Sequence, residues 1–234
     1  MYINGFQKNS LIDFPGYIAC VVFTSGCNFV CPYCHNPDLA AGPVTGAGSQ
    51  YDPDAIFSFL EKRKGLVEGV AITGGEPTLQ PDLAPFCRKI RKMGYKIKLD
   101  SNGTRPKVLA SLLKDQLIDY IAMDIKTSLP HYPTIAKGKL DTEKIRASID
   151  LIMETAPAYE FRTTCVKPFI TPEIMAQIAR MLSGASRYVL QKCSRNVTVL
   201  DPDFLAQEHH FFTPEQMAHL KTIAKAHIPE VILR

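Results

Sequence analysis

Hydrophobic and polar positions alternate in two patterns along most of the chain. Short runs rich in β-branched residues predict buried strands, and longer runs with apolar residues three and four apart predict amphipathic helices. The predicted strands span residues 18–24, 68–73, 95–100, 117–125, 159–166 and 187–193. The predicted helices span residues 52–65, 81–94, 106–115, 141–156, 171–182 and 213–226. Asp52 is expected to cap the first helix, and the chain finishes on the short apolar tail "VILR".

Six strand–helix units that run in one direction predict an α/β fold with a parallel sheet, because parallel strands are joined by helical crossovers. A doubly wound sheet and a barrel with outer helices both satisfy this pattern. Six strands are too few for a closed eight-stranded barrel, so the barrel form is an incomplete (β/α)6 barrel with an open side. In both forms, ligands bind at the carboxyl ends of the strands.

Length and composition indicate a single globular domain over residues 1–234. The stretch "AAGPVTGAGSQ" (40–50) is interpreted as a flexible loop rather than a domain linker. No apolar run is long enough to span a membrane, and the N-terminal stretch "MYINGFQKNSLIDFPG" lacks the basic and apolar segments of a signal peptide. We therefore expect a cytoplasmic protein without a membrane partner.

The charge of the chain changes this picture little. A net charge of +4 is too small to predict a nucleic-acid partner. The basic run "RKIRKMGYKIK" (88–98) is expected to form the solvated face of a helix and of the strand that follows it.

Seven cysteines in a cytoplasmic chain argue against a disulfide framework. Four are scattered among apolar neighbours and are expected to be small buried hydrophobic residues: Cys20, Cys87, Cys165 and Cys193. The other three lie within eight positions and directly follow the first predicted strand.

Cys27, Cys31 and Cys34 have the spacing C-x3-C-x2-C, at which thiolates can converge on a metal centre. A zinc site completed by His35 is one interpretation, although His35 adjoins Cys34 so closely that sharing one ion would be strained. An iron–sulfur cluster is the interpretation that we favour. Such clusters normally take four cysteines, so three leave one iron free for a small molecule.

The segment "CNFVCPYC" (27–34) resembles the C-x3-C-x-aromatic-C signature of radical S-adenosylmethionine enzymes. The resemblance implies a [4Fe–4S] cluster on the three cysteines, with S-adenosylmethionine bound to the free iron. The reduced cluster of such enzymes cleaves this cofactor to methionine and a 5′-deoxyadenosyl radical. Tyr33 is then expected beside the adenine of the cofactor.

Motifs at the next strand ends agree with this resemblance. In "TGGEP" (73–77), the resemblance places Gly74, Gly75 and Glu76 around the methionyl ammonium. In "DSNG" (100–103), it makes Ser101 and Asn102 hydrogen-bonding partners of the ribose or the methionyl part.

Charged residues on later strands complete the expected cofactor site. In activases of glycyl-radical enzymes, matching aspartates flank a monovalent cation, which implies such an ion between Asp100 and Asp124. Asp124 is also expected near the cofactor carboxylate, and Lys126 is expected to pair with it. Arg162 and Gln191 lie amid apolar strand residues and need polar partners. We assign them to the same site, with a structural salt bridge as the alternative.

The segments "GFQKNSLIDFPG" (5–16) and "CHNPDL" (34–39) resemble the activating enzymes of glycyl-radical proteins. The branch that activates anaerobic ribonucleoside-triphosphate reductase is the most similar. The resemblance implies a glycyl-radical enzyme as protein substrate, a flavodoxin or ferredoxin as electron donor, and no catalytic residue beyond the cluster and cofactor. It places Asp13, His35 and Asn36 at the substrate entrance.

Three other functions stay open from the sequence. The partner could be another glycyl-radical enzyme, of the pyruvate formate-lyase type. The chain could instead be a radical enzyme that acts on a small molecule, such as a deazapurine-forming synthase. A zinc-stabilised interaction module is the non-enzymatic alternative.

Overall fold

The structure, a computed structural model, describes residues 1–42 and 51–234. Its strands are β1 (Ile3–Ser10), β2 (Ala19–Thr24), β3 (Gly69–Gly74), β4 (Lys96–Ser101), β5 (Tyr120–Asp124), β6 (Tyr159–Cys165), β7 (Arg187–Lys192) and β8 (Glu230–Leu233). Its α-helices are α1 (Pro37–Ala41), α2 (Pro53–Glu61), α3 (Leu83–Lys92), α4 (Pro106–Lys114), α5 (Glu143–Thr155), α6 (Pro172–Met181), α7 (Pro202–Ala206) and α8 (Pro214–Lys225). Three short 3₁₀ helices span Pro77–Leu79, Leu129–Ile135 and Glu208–His210.

The strands form one sheet in chain order, from β1 at one edge to β8 at the other. β1 is antiparallel to β2, and the strands from β2 to β8 are all parallel. The sheet does not close, because β1 and β8 do not pair with each other. The predicted α/β class and the incomplete barrel are therefore confirmed, and each predicted strand and helix is present within a few residues.

Two strands, β1 and β8, were not predicted. The sequence of β1, "INGFQKNS", has no clear alternation of apolar and polar residues. β8 is only four residues long and consists of Glu230 and the first three residues of the tail "VILR". Both are edge strands that depend on their neighbours for pairing. In the predicted loop at 40–50, the first two residues end α1, and residues 43–50 lie outside the described part.

Successive side chains along each strand point to opposite sides of the sheet, one facing the helices and the other facing the inside of the barrel. The helix-facing side contributes to one large apolar core, which contains the four scattered cysteines; each is at most 2% exposed, as predicted. Asp52 caps α2 by accepting from the Asp54 amide, also as predicted. None of the helices in the described residues is both long and apolar enough to cross a membrane.

The basic run at 88–98 is solvated as predicted along α3, where Arg88 and Lys89 form ion pairs with exposed aspartates and Arg91 pairs with the partly buried Asp119. The prediction is wrong for Lys98, which is 2% exposed. Lys98 lies two residues before Asp100 on β4, and strand alternation turns both side chains to the inner side of the sheet.

Phe14 fills the inner side of the sheet near the amino ends of the strands. Its ring is 1% exposed and packs with Ala19, Tyr120 and Ala122. A Cβ atom at Gly69 would lie 2.7 Å from this ring, so only glycine leaves room for it. Phe14 thereby anchors the loop between β1 and β2.

We expect Phe14→Ala to lower the free energy of unfolding by about 3–5 kcal/mol, because it removes a buried ring and leaves a cavity. Urea unfolding of the metal-free protein measures this. Leu66→Ala is the control, since Leu66 is 60% exposed and a change there should stay within about 0.5 kcal/mol. Equal effects of the two substitutions would contradict the anchoring role.

Candidate active site

One cavity of about 380 Å³ lies at the carboxyl ends of the strands, within the size range of small-molecule sites. Every site residue predicted from the sequence lines it: Asp13, Cys27, Cys31, Tyr33, Cys34, His35, Asn36, Gly74, Gly75, Glu76, Asp100, Ser101, Asn102, Asp124, Lys126, Arg162 and Gln191. The fold thus gathers residues that are up to 178 positions apart, from 13 to 191, into one site.

The cysteine loop, residues 25–36, begins where β2 ends, and backbone hydrogen bonds join it to α1. The amide of Gly26 donates to Leu39 at 2.6 Å, and that of Cys27 donates to Ala40 at 3.2 Å. Burial raises the pKa of Cys31 to about 11, an effect that nearby Lys126 opposes. Burial also raises the pKa of Cys27, whose Sγ atom accepts from the amide of Phe29 at 3.4 Å.

Gly74 and Gly75 bring the end of β3 into direct contact with the start of the cysteine loop. The Gly75 amide donates to Thr24 at 2.8 Å, and the Glu76 amide donates to Gly26 at 2.8 Å. Gly74 has φ +115°, and a Cβ atom on Gly75 would lie 2.2 Å from the Gly26 oxygen. Both positions require glycine for a structural reason, whatever ligand they meet.

Glu76 is 1% exposed and connects three segments. Its Oε1 atom accepts from the amide and hydroxyl of Thr78 and from Ser101 Oγ at 2.9 Å. Its Oε2 atom accepts from the Asn102 amide at 2.6 Å. Burial raises the pKa of Glu76 although these hydrogen bonds lower it. Because Oε2 accepts a single hydrogen bond within the described residues, it retains capacity for a cationic ligand group.

Asn102 joins the end of β4 to the cysteine loop. Its Nδ2 atom donates to Asn28 Oδ1 at 2.9 Å and lies 3.9 Å from Cys27 Sγ. Asn28 in turn donates to Thr104 Oγ1 at 3.0 Å. The hydroxyl of Ser101 is used by Glu76 and by the Gly103 amide. Direct contact of Ser101 or Asn102 with the cofactor stays a prediction.

Asp100, Asp124 and Arg162 lie on three neighbouring strands and form ion pairs. Arg162 Nε is 2.8 Å from Asp124 Oδ1, and its guanidinium is 3.2 Å from Asp100 Oδ2. Lys126 Nζ is 2.9 Å from Asp124 Oδ2, and Lys98 pairs with Asp100. Burial raises the pKa of both carboxyls, but their cationic partners outweigh it and hold each pKa below the usual range.

Tyr33 is 4% exposed and packs against Phe169 and Phe204, with ring centroids 5.5 and 6.2 Å away. Its hydroxyl has no hydrogen-bond partner among residues 1–42 and 51–234. An enclosed hydroxyl without a partner is costly, so a ligand that supplies one would be stabilised here.

The three predicted entrance residues occupy different parts of the cavity wall. Asp13 accepts from Ser10 Oγ at 2.5 Å and forms no ion pair within the described residues. His35 Nε2 is 3.8 Å from Cys193 Sγ, a contact outside the cysteine loop, and burial lowers the pKa of His35. Asn36 precedes α1, and its side chain does not cap that helix.

Sequence reasoning missed several residues of this wall. Asn28, Thr78 and Thr104 hold the predicted residues in place, and Phe23 and Thr73 line the cavity. Asn28 lies inside the cysteine motif, which could have marked it. Thr73 lies inside "TGGEP", and Thr78 and Thr104 each lie two residues after the motif residue that they bond, so the motifs could have marked them as well. Phe23 carries no such signal.

Comparison with known proteins identifies the class. The chain matches the radical SAM superfamily over residues 21–182, so it belongs to that superfamily. In fold it is similar to Streptococcus suis SuiB bound to S-adenosylmethionine, with a TM-score of 0.67 and 13% identity over 92% of this chain and 49% of that chain. It is also similar to TYW1 with a lysine-pyruvate adduct, with a TM-score of 0.59 and 16% identity over 89% and 72% of the two chains.

Sequence relatives narrow the class. A Methanocaldococcus jannaschii protein described as a candidate glycyl-radical enzyme activating enzyme is 31% identical, covering 99% of this chain and 95% of the relative. The chain therefore belongs to the glycyl-radical enzyme activating enzymes. The pyruvate formate-lyase-activating enzyme of Streptococcus mutans is 31% identical over 58% of this chain and 54% of its own length.

Enzymes of this superfamily use a [4Fe–4S] cluster and S-adenosylmethionine, and the residues present fit both. Three thiols line one cavity wall and can serve as thiolate ligands. Within the described residues, no three His, Cys, Asp or Glu side chains are arranged around a single metal ion. Glu76 and Lys126 line the same cavity, and their opposite charges suit the ammonium and the carboxylate of an amino acid.

We expect Gly75→Ala to reduce iron incorporation strongly, because the added Cβ collides with the Gly26 backbone and displaces the cysteine loop. Iron content after anaerobic reconstitution measures this. The control is Gly94→Ala at φ +92°, where a Cβ has open space. It should cost about 1 kcal/mol of stability and leave iron content unchanged. Normal iron content in Gly75→Ala would contradict the packing argument.

Proposed function

We propose that this enzyme generates a glycyl radical on a partner enzyme, and that the partner is an anaerobic ribonucleoside-triphosphate reductase. The observation that supports a protein substrate is a second cavity of about 410 Å³, which shares Asp13, Arg162 and Gln191 with the first. It also touches Ile12 on the loop after β1 and Arg234 directly after β8. We infer that a polypeptide segment reaches the first cavity through this second one.

The proposed chemistry uses the bound groups for the reaction and the protein for positioning. A bound, reduced cluster would supply one electron for the reductive cleavage of S-adenosylmethionine, and this cleavage would supply the radical chemistry that removes one hydrogen atom from a glycine Cα of the partner. Cys27, Cys31 and Cys34 hold the cluster. Tyr33 and the hydrogen-bonded residues at the strand ends orient the cofactor.

Asp13 is suited to meet the incoming polypeptide. Its carboxylate lines both cavities, and Ser10 fixes it in place. A carboxylate without a cationic partner can accept hydrogen bonds from a peptide backbone. His35 and Asn36 are proposed to line the same entrance more distantly.

An apolar surface beside the entrance favours a macromolecular substrate over a small molecule. Four of the eleven large hydrophobic side chains exposed in the described residues lie in one short segment: Leu11, Ile12, Tyr17 and Ile18. Ser10 Oγ accepts from the amides of Ile12 and Asp13, each at 3.2 Å, which orders the tip of this loop. Exposed apolar clusters of this kind mark interaction sites.

The partner and the electron donor are the finer parts of the proposal. The motifs "SLIDFPG" and "CHNP" support the activase group, and "IDFPG" in place of the "DGPG" of pyruvate formate-lyase activases favours the reductase. Pyruvate formate-lyase is the alternative that the named relatives favour. We propose flavodoxin or ferredoxin as the electron donor and the cytoplasm as the location.

Electron paramagnetic resonance tests the function. The reconstituted, reduced protein is mixed with S-adenosylmethionine and the anaerobic ribonucleotide reductase of the same organism. We expect a glycyl-radical doublet on the reductase. A doublet on pyruvate formate-lyase alone would correct the partner. Formation of 5′-deoxyadenosine without a doublet on either protein would contradict activation.

Cys31→Ala should abolish both the cluster and cofactor cleavage, because it removes one of three thiolate ligands. Cys87→Ala is the matched control: Cys87 is buried in α3, away from the cavity, and activity should stay nearly intact. Iron content and 5′-deoxyadenosine formation are measured for both variants. Retained cleavage in Cys31→Ala would contradict the ligand assignment.

The double substitution Leu11→Ser and Ile12→Ser should reduce radical transfer to the partner at least about tenfold, because it removes apolar area that a protein partner would bury. Cofactor cleavage without the partner should not change. Leu66→Ser, another exposed leucine, controls for lost surface hydrophobicity. Unchanged radical transfer in the double variant would exclude this loop as a docking surface.

A further inference from the structure

Five charged side chains form a continuous chain across the inner side of the sheet, in the order Lys98, Asp100, Arg162, Asp124 and Lys126. They come from β4, β5 and β6 and from the residues just after β5. Asp124 and Arg162 are direct neighbours in the strand register. Lys98 is enclosed, with a side chain 3% exposed.

Every carboxylate oxygen in this chain faces a cationic group. Lys98 contacts Oδ1 of Asp100, and Arg162 lies 3.2 Å from Oδ2. On Asp124, Arg162 lies 2.8 Å from Oδ1 and Lys126 lies 2.9 Å from Oδ2. Three positive charges therefore surround two negative charges.

This arrangement does not fit the monovalent cation expected from the sequence. That expectation depends on two carboxylates that lack cationic partners of their own, so that the metal ion supplies their counter-charge. Here an added sodium or potassium ion at Asp100 would lie beside the Lys98 ammonium and the Arg162 guanidinium and would be repelled by both. The buried ammonium of Lys98 also requires Asp100 as its ion-pair partner, because an unpaired buried charge is strongly disfavoured.

We propose that Lys98 is a built-in counterion whose ammonium group takes the place of a monovalent metal ion at Asp100. Lys98 is thus a positioning residue: it holds Asp100, which orients Arg162 and, through it, Asp124. The inference deepens the proposed function because it concerns the same site. Its test needs neither partner nor cluster, so it can fail independently of that function.

The experiment measures the melting temperature of the metal-free protein in potassium, sodium or choline chloride at equal ionic strength. For the wild type, we expect the same temperature in all three salts. For Lys98→Met, we expect potassium or sodium to raise it by several degrees over choline, because binding to the folded state stabilises it. Lys96→Met is the matched control on β4: Lys96 pairs with Asp119 at 3.2 Å, and this variant should show no preference.

A second variant tests the cause of the acquired response. In Lys98→Met with Asp100→Asn, the anionic ligand is also removed, and the response to potassium or sodium should disappear. The reconstituted enzyme gives a parallel result: the affinity of Lys98→Met for S-adenosylmethionine should drop about tenfold in choline and recover in potassium or sodium.

Two results would overturn the inference. One is a specific stabilisation of the wild type by potassium or sodium, which decides the question even if the variants do not fold. The other is a folded Lys98→Met protein that responds equally to all three salts.

Discussion

The backbone of residues 74–76 lies directly on the backbone of residues 24–26, and the geometry of the active site depends on this contact. Two hydrogen bonds, from Gly75 to Thr24 and from Glu76 to Gly26, join the ends of β3 and β2. Side chains larger than hydrogen would separate them. The contact fixes where the cysteine loop begins, and it places the Glu76 carboxylate beside the end of β4.

From that contact, hydrogen bonds extend to the neighbouring strand. Glu76 accepts hydrogen bonds from Ser101 and from the Asn102 amide, and the Asn102 side chain donates to Asn28 in the cysteine loop. The first part of the cysteine loop, up to Asn28, is therefore held by a closed network of hydrogen bonds. Such preorganisation lets the protein orient bound groups without rearranging during the reaction.

Much of this could be predicted from sequence, because strand ends of a parallel sheet meet at one edge. The cysteines, the Gly-Gly-Glu motif and the polar residues after β4 and β5 each follow a strand, and all line one cavity. The burial of Lys98 was not predicted, because "KIKLD" indicates which residues of β4 share a face but not which face is exposed to solvent. β1 and β8 were missed because short edge strands depend on their neighbours, and the Phe14–Gly69 contact depends on packing between distant segments.

The most direct test of the central claim is iron and sulfide analysis of the anaerobically reconstituted protein, with electron paramagnetic resonance of its reduced form before and after S-adenosylmethionine is added. The account predicts about four irons per chain and a spectrum that changes when the cofactor binds the iron without a protein ligand. One zinc per chain without iron, or a cluster whose spectrum the cofactor leaves unchanged, would contradict it.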